Sequence, residues 1–451
     1  MTPIRQHLLD LIEDREKAFG ATEHHLAPLR LEAAQEVFEE RRAQIPLLAK
    51  RAADAGITRV TSFDDLVPLL FAHTTYKSYP ASFIEQGRWD RMLTWLNTLS
   101  VRDVTGVDVA GVVDVDDWLD RLWAEDHRII CTSGTTGKCS FLNHTADDQE
   151  RKRRHFKHVL GWPHIQVKRD KMFFWLGPVK GYNSAVEAAQ INIQNVARPG
   201  GAHWLSDAPL SMAEVSRMAV MRKKMADGSA TPEDIKAFET RSLEKGRQGE
   251  ADLEAFADLI LDHRHEPMYL TGLWAQHMAV IRRARDRGIP DDDFHPDSII
   301  GAGGGVKAVP LPADYKEQVR AFYGLDHRPS PGLYAMTELA QAMPRCEAGR
   351  YHIAPGLIPL FLNEAGDRLI ERPHPAAVIE ARFGFLDLLY DGRWGGLITG
   401  DKVQVDVSPV CACGRPGPVI LDTITRYAQP GKDDHIGCAG TIDAYIKGVV
   451  A

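Results

Sequence analysis

The run Thr132-Ser133-Gly134-Thr135-Thr136-Gly137-Lys138 crowds hydroxyls, glycines and an ammonium into one short segment. Glycine lets a backbone turn tightly and approach a ligand, and hydroxyls with exposed amides can donate several hydrogen bonds to phosphate oxygens. The P-loop of the NTPases needs a longer spacing between its glycines and a Ser or Thr after the lysine. Here only Thr135 and Thr136 separate Gly134 from Gly137, and Cys139 follows Lys138, so that motif is excluded. A Ser/Thr-rich surface loop is the plain alternative.

Two further segments pair an acid with groups that a nucleotide requires. In Tyr334-Ala335-Met336-Thr337-Glu338 a carboxylate stands beside a hydroxyl, a pair that can hold Mg²⁺ and a phosphate oxygen; a surface Thr–Glu pair would look the same. Leu397-Ile398-Thr399-Gly400-Asp401 reads as a strand ending in a tight turn with an acid at its tip. An acid so placed can accept hydrogen bonds from two ribose hydroxyls. Cys346, His352, Cys411 and Cys413 supply three thiolates and an imidazole, the ligand set of a structural tetrahedral Zn²⁺, with Cys438 as an alternative ligand. Unrelated cysteines acting as small apolar groups are the other explanation. Cys131 and Cys139 flank the hydroxyl-rich loop and read as packed side chains.

These residues need elements to position them. Arg128–Cys131 is a short apolar run leading straight into the loop, and a strand entering a glycine-rich loop is a common nucleotide site. Lys171–Leu176 is a second strand, stopped by Gly177 and Pro178. After Asp297 short strands alternate with turns: Ser298–Ile300 into Gly301–Gly305, then Leu333–Tyr334, Ala377–Ala381 and Gly396–Val407. Apolar residues recur at helical spacing over residues 1–60, and a helix over about Gly272–Arg285 ends before Gly288 and Pro290. Residues 209–260 read as a polar helical insertion, with Thr231 and Pro232 marking a helix start. The aromatic run from Tyr76 to Trp95 reads as a buried corner. The alternation implies an α/β core with mainly parallel pairing. It divides into a helical part over 1–125, a core over 126–426 and a short remainder over 427–451.

Bulk properties narrow the function classes. The 451 residues carry 54 basic and 62 acidic side chains for a net charge of −8, which argues against a general nucleic-acid binder. The charged first twenty residues lack the apolar stretch of a signal peptide, and no run of ~18 apolar residues suggests a membrane span. A cytoplasmic enzyme is expected, its six cysteines reduced or bound to metal.

In order and spacing, Thr132–Lys138, Gly303–Gly305, Tyr334–Glu338 and Thr399–Asp401 resemble the motif series of the adenylate-forming superfamily of acyl- and aryl-CoA synthetases. The first resembles its [ST]-S-G-T-T-G-x-P-K signature and the third its Y-G-x-T-E. Thr74–Pro80 and Cys411–Arg415 look most like the phenylacetate–CoA ligase and acyl-protein synthetase branch, some members of which carry a similar Cys/His set. The resemblance covers roughly residues 70–440. It implies a large α/β domain with β-sheets flanked by helices, and it implies roles. Thr132, Ser133, Gly134, Thr135, Thr136 and Gly137 would wrap the ATP phosphates; Gly303, Gly304 and Gly305 would lie along adenine, with Tyr334 on its ring. Thr337 would bond the α-phosphate, Glu338 would hold Mg²⁺, Asp401 would take the ribose and Arg426 the ribose or phosphate.

The sequence departs from that pattern in three places. Lys138-Cys139-Ser140 lacks the Pro-Lys, so Lys138 substitutes only in part; Ala335 replaces the glycine after the tyrosine. Asp433–Ile436 resembles the hinge before the mobile C-terminal domain, of which only a remnant follows, with Lys447 as the one stand-in for its lysine. Phe174, Trp175, Tyr182, Asn183, His203 and Trp204 are candidates to line an acid pocket suited to a flat apolar or aromatic acid. Three functions follow. One is acid activation with transfer to CoA; a second is activation with transfer to an amine or a protein thiol; the third is a degenerate, non-catalytic nucleotide binder. A homodimer would suit the branch.

Overall fold

The computed structural model describes residues 2–132, 138–163, 165, 167–303, 311–328, 332–371 and 377–427. They fall into two compact units. One comprises the described parts of Met1–Thr132, Cys139–Pro163 and Leu333–Ala451; the other comprises those of Ser133–Lys138 and His164–Gly332.

The first unit is built on a seven-stranded sheet whose central path runs Arg350–His352, Val419–Leu421, Gly396–Asp406, Val378–Asp387, Leu357–Leu362. Every pairing along that path is antiparallel; only the edge strand Phe71–Ala72 joins Gly396–Asp406 in parallel. Sequential strands joined by short turns pair antiparallel, because a parallel return needs a long crossover. Mainly parallel pairing therefore fails for this unit. Helices Pro3–Asp10 and Glu23–Gln44 pack together, each opened by a threonine whose hydroxyl accepts from an amide in the first turn. Between Tyr76 and Trp95 the aromatic corner is closed: Tyr76, Tyr79 and Trp95 are buried, and Tyr79 meets Trp95 edge-on at 5.0 Å between centroids.

The strand Arg128–Cys131 does not lead into a helix. It pairs antiparallel with Phe141–His144, the next strand of the described residues, as a hairpin does. The next helix, Ala146–Val159, starts only after the second strand, under a Thr145/Asp148 capping box.

The second unit matches the parallel expectation. Its four strands lie in the order Ala197–Ser206, Lys171–Pro178, Met268–Leu273, Ile299–Gly303, all parallel. Met172, Phe174, Leu176, Met268, Leu270 and Ile300 share one face, packed against helices Pro232–Asp262, Trp274–Asp286 and Tyr315–Phe322. Helix Ser184–Val196, absent from that core, packs on the first two strands. Thr231 caps the helix that Pro232 begins, through its hydroxyl and the amide of Asp234. No helix among the described residues is long and apolar enough to cross a membrane.

Candidate functional site

In the first unit, sequence-distant residues meet around one carboxylate. Asp401 lies inside the strand Gly396–Asp406, opposite Arg426 of the short strand Thr425–Arg426. It is 8% exposed. The Tyr334 hydroxyl donates to Asp401 Oδ2 at 2.8 Å, and Arg426 Nε lies 3.2 Å from Oδ1. Thr399 Oγ1 accepts from the Asp401 amide at 3.0 Å while donating to the Phe383 carbonyl at 2.7 Å, which fixes the backbone that carries the acid. Tyr334 is buried, its ring against Tyr351 and Phe383, and its hydroxyl is pushed well above the ordinary value, by desolvation first and by the neighbouring carboxylate second. The hydroxyl is therefore a donor at any physiological pH.

Thr337 and Glu338 follow Tyr334 on a turn and are partly buried. Burial raises the Glu338 carboxyl above its usual range; Arg393 and Lys77 pull it down, and Asp401 pushes it up. Arg393 is fully buried, lies over the Tyr390 ring at 3.8 Å and donates from Nη2 to the Glu338 carbonyl at 2.6 Å. A carboxylate beside a hydroxyl can serve a hard divalent cation, whose charge would offset the cost of ionising the acid where it is buried. Tyr334, Asp401 and Arg426 are thus brought into direct contact, and Glu338 into their field.

The hairpin contributes Thr132, whose Oγ1 accepts from the Ser140 amide at 2.9 Å and keeps its own hydrogen to donate. Lys138 is half-buried in the second unit. Ser133, Gly134, Thr135, Thr136 and Gly137 lie outside the described residues, as do Gly304, Gly305, Cys438, the segment Asp433–Ile436 and Lys447.

Cys346, His352, Cys411 and Cys413 converge: their ligand atoms all lie within 4.8 Å of one another, and Cys413 Sγ is 3.4 Å from His352 Nε2. Two turns of one design hold them. The Cys346 amide donates to the Arg350 carbonyl at 2.9 Å and the Gly349 amide to the Cys346 carbonyl at 2.9 Å. The Cys411 amide donates to the Arg415 carbonyl and the Gly414 amide to the Cys411 carbonyl, both at 2.8 Å. Gly349 and Gly414 both have positive φ, 72° and 86°, which the turn requires and a side chain would strain. Burial lowers His352 to about 4, so its imidazole is neutral and able to ligate; burial raises the Cys413 thiol, but hydrogen bonds with Arg415, Cys411 and Cys346 together bring it below its ordinary value. A Cys₃His set at this spacing fits a tetrahedral metal with no open position.

In the second unit the sheet order reverses between Lys171–Pro178 and Met268–Leu273, and ligands of open α/β sheets bind outside the carboxyl ends of the strands at such a point. Trp175 stands near that end, its indole donating to the Pro178 carbonyl at 2.8 Å; Tyr182 follows it just before the next helix, and Gly303 ends the neighbouring edge strand. Phe174 and His203 are different. They stack at 5.1 Å on the face covered by helix Pro232–Asp262, with His263 beyond, opposite to Trp175 and Trp204. Side chains alternate along a strand, so His203 and Trp175 cannot share one wall. Asn183 is the N-cap of helix Ser184–Val196.

Sequence reading passed over Asp387 and Arg393, which grip the turn carrying Glu338, and Arg382, whose guanidinium bonds the Thr399 carbonyl at 3.0 Å and covers the Tyr427 ring at 4.1 Å. The sequence offered only lone charges in apolar surroundings, Arg382 and Asp387 around Phe383–Leu386 and Arg393 before Trp394.

No protein-family model matches the chain, and no curated protein matches it. Solved structures do. A 2-hydroxyisobutyryl-CoA ligase in the postadenylation state with R3-HIB-AMP is 11% identical over 90% of this chain and 68% of that one, with a TM-score of 0.50. The same ligase with 2-HIB-AMP and CoA in the thioesterification state is 12% identical over 91% of this chain and 70% of that one, also at 0.50. At that identity the likeness is one of fold: a mixed α/β architecture with a parallel sheet flanked by helices, similar to that of adenylate-forming domains.

Proposed function

We propose that the protein activates a carboxylic acid with ATP, forming the acyl-adenylate and releasing pyrophosphate, and then passes the acyl group to CoA. The observation that carries this reading is the meeting of Tyr334, Asp401 and Arg426, which come from separate motifs and share one buried carboxylate. The fold is compatible with it.

In this reading Asp401 accepts the ribose hydroxyls, with Arg426 beside it as a cation for ribose or phosphate. Thr337 donates to the α-phosphate. Thr132 and the hydroxyls after it, with Lys138, meet the outer phosphates. Glu338 would hold Mg²⁺, which supplies charge neutralisation on the triphosphate when bound. The substrate carboxylate attacks the α-phosphorus as pyrophosphate leaves, and because a carboxylate is already ionised, no general base is required. Positioning and fixed donors then provide most of the rate. Trp175 and Tyr182, at the end of the parallel sheet, favour a flat apolar or aromatic acid. The four-residue Cys/His cluster would hold a structural Zn²⁺ that ties the turn after Met343–Pro344 to the turn before Val419–Leu421.

ATP–pyrophosphate exchange across a panel of aliphatic and aromatic acids tests the reading. Acid-dependent exchange is expected, with an aromatic acid among the best. CoA should then yield a thioester; transfer only to an amine or a protein thiol would redirect the second step. No exchange with any acid, together with retained ATP binding, would leave a non-catalytic nucleotide binder.

A further inference from the structure

The turn that carries Thr337 and Glu338 is held from behind by buried groups that touch no part of the nucleotide in the reading above. Asp387 closes the strand Val378–Asp387 and is 1% exposed. Its Oδ2 accepts from the amides of Ala340 at 2.8 Å and Gln341 at 3.1 Å; its Oδ1 accepts from Gln341 Nε2 at 2.8 Å and from the Leu389 amide at 3.0 Å. On either side of that grip, Arg393 donates to the Glu338 carbonyl at 2.6 Å and His155 Nε2 bonds the Ala342 carbonyl at 3.0 Å. Four of the five residues 338–342 are thus pinned through their backbone, by groups more than forty residues away in sequence.

A buried carboxylate satisfied entirely by N–H donors is a strong and directional anchor, since each bond is charge-assisted and few alternative geometries satisfy all of them. An anchor for packing alone would hold any side chain of the turn equally well. This one holds the backbone amides two and three residues after Glu338, while Arg393 takes the carbonyl of Glu338 itself, so together they set the direction in which its carboxylate leaves the backbone.

We infer that Asp387 is a positioning residue: by clamping residues 340 and 341 it orients Glu338 toward a divalent cation bound with the nucleotide. This rests on the reading of Glu338 as that cation's ligand. Groups behind a metal ligand commonly alter metal affinity by about 10- to 100-fold when removed.

The test is ATP binding by titration calorimetry, in EDTA and across a Mg²⁺ series, for the wild type, E338Q, D387N and Q341L. The amide of D387N turns one acceptor into a donor facing N–H groups, and Q341L removes a single side-chain donor. E338Q should lose the Mg²⁺-dependent part of ATP affinity. D387N should raise the Mg²⁺ concentration for half-maximal enhancement by about 10- to 100-fold, and Q341L by less, with affinity in EDTA unchanged in all. If E338Q loses the Mg²⁺ dependence while D387N, folded by circular dichroism, keeps that of the wild type, the inference is overturned. A wild-type response from E338Q would instead remove the underlying reading of Glu338, and the inference with it. Should D387N not fold, Q341L decides: a shifted Mg²⁺ dependence supports the positioning role and an unshifted one overturns it.

Discussion

Asp401 has two carboxylate oxygens, and both are engaged before any ligand arrives: Tyr334 donates to one and Arg426 sits against the other. Each oxygen can accept more than one hydrogen bond, so ribose hydroxyls can add to these partners without displacing them. The neighbours serve to keep the carboxylate shielded from water and aimed, the condition under which a hydrogen bond to it contributes most. Asp401→Asn removes the charge, leaves the buried Tyr334 hydroxyl facing an amide and weakens the contact with Arg426. A hydrogen bond to a charged group is worth about 1.5–3 kcal/mol, so ATP affinity measured by calorimetry should fall by roughly 10- to 100-fold. An unchanged affinity in a folded D401N protein would remove Asp401 from the nucleotide site. Tyr334 and Asp401 were legible in the sequence as members of an ordered motif series. Their direct contact was not, because motif order says nothing about which side chains touch.

At the scale of elements, the parallel and antiparallel parts of the fold were unequally legible. The strand from Lys171 and the strand into Gly303 lie in a parallel sheet because helices separate them, and those helices announce themselves by periodicity and caps such as Thr231. Arg128–Cys131 was read correctly as a strand, yet a short apolar run does not reveal its partner, and the partner proved to be the next strand rather than a helix. Asp387 was unreadable for a similar reason: in Phe385-Leu386-Asp387-Leu388-Leu389 it looks like a lone charge among apolar residues, and only the fold supplies its four donors. His277, on helix Trp274–Asp286, joins the strand Ile299–Gly303 to the end of helix Tyr315–Phe322, with Nε2 at 3.3 Å from the Gly301 carbonyl and Nδ1 at 3.2 Å from the Tyr323 hydroxyl. Burial lowers it to about 4. Its folded value lies below the unfolded one of about 6.5, so the neutral form's contribution is complete above that pH and is lost as pH falls toward 4. Between pH 7 and 4.5 that loss is of order 2–3 kcal/mol, and H277Q should show a correspondingly smaller drop in thermal stability over this window than the wild type. Equal slopes for the two would contradict it. The Cys/His turns make a second element-scale case. The protein as purified should contain about one zinc per chain, and C413S should lose the metal and melt at a lower temperature, because the binding energy of a closed site is folding energy. Metal-free protein whose melting a chelator leaves unmoved would refute it.

Across the whole chain, the first unit is closed by ion pairs between its beginning and its end. Arg5 is 1% exposed and donates to the carbonyls of Leu388 and Tyr390 and, at 2.6 Å, to Asp391. Asp391 also receives Arg41 and Arg151, each at 2.6 Å, while Asp148 accepts from the Asp391 amide at 2.7 Å and from Arg151 at 2.8 Å. Helices Pro3–Asp10, Glu23–Gln44 and Ala146–Val159 are thereby tied to one turn nearly four hundred residues from the start. Arg41 also meets Glu40 at 2.7 Å, so three carboxylates face the three guanidiniums; burial still lowers Arg5 despite its partner, and the network is costly to assemble and more costly to break. Removing one member of a buried pair leaves its partner uncompensated, a loss of about 3–5 kcal/mol when burial is complete. Asp391 is partly exposed, which places R5A and D391N toward the lower end of that range. The two substitutions share the same partners and should not add. A double-mutant cycle on urea unfolding should therefore return a coupling energy within roughly 0.5–3 kcal/mol, the two together costing less than the sum of each alone. Strict additivity would mean that the N-terminal helix is held by its apolar face, Leu8 and Leu9, and that Arg5 merely follows it.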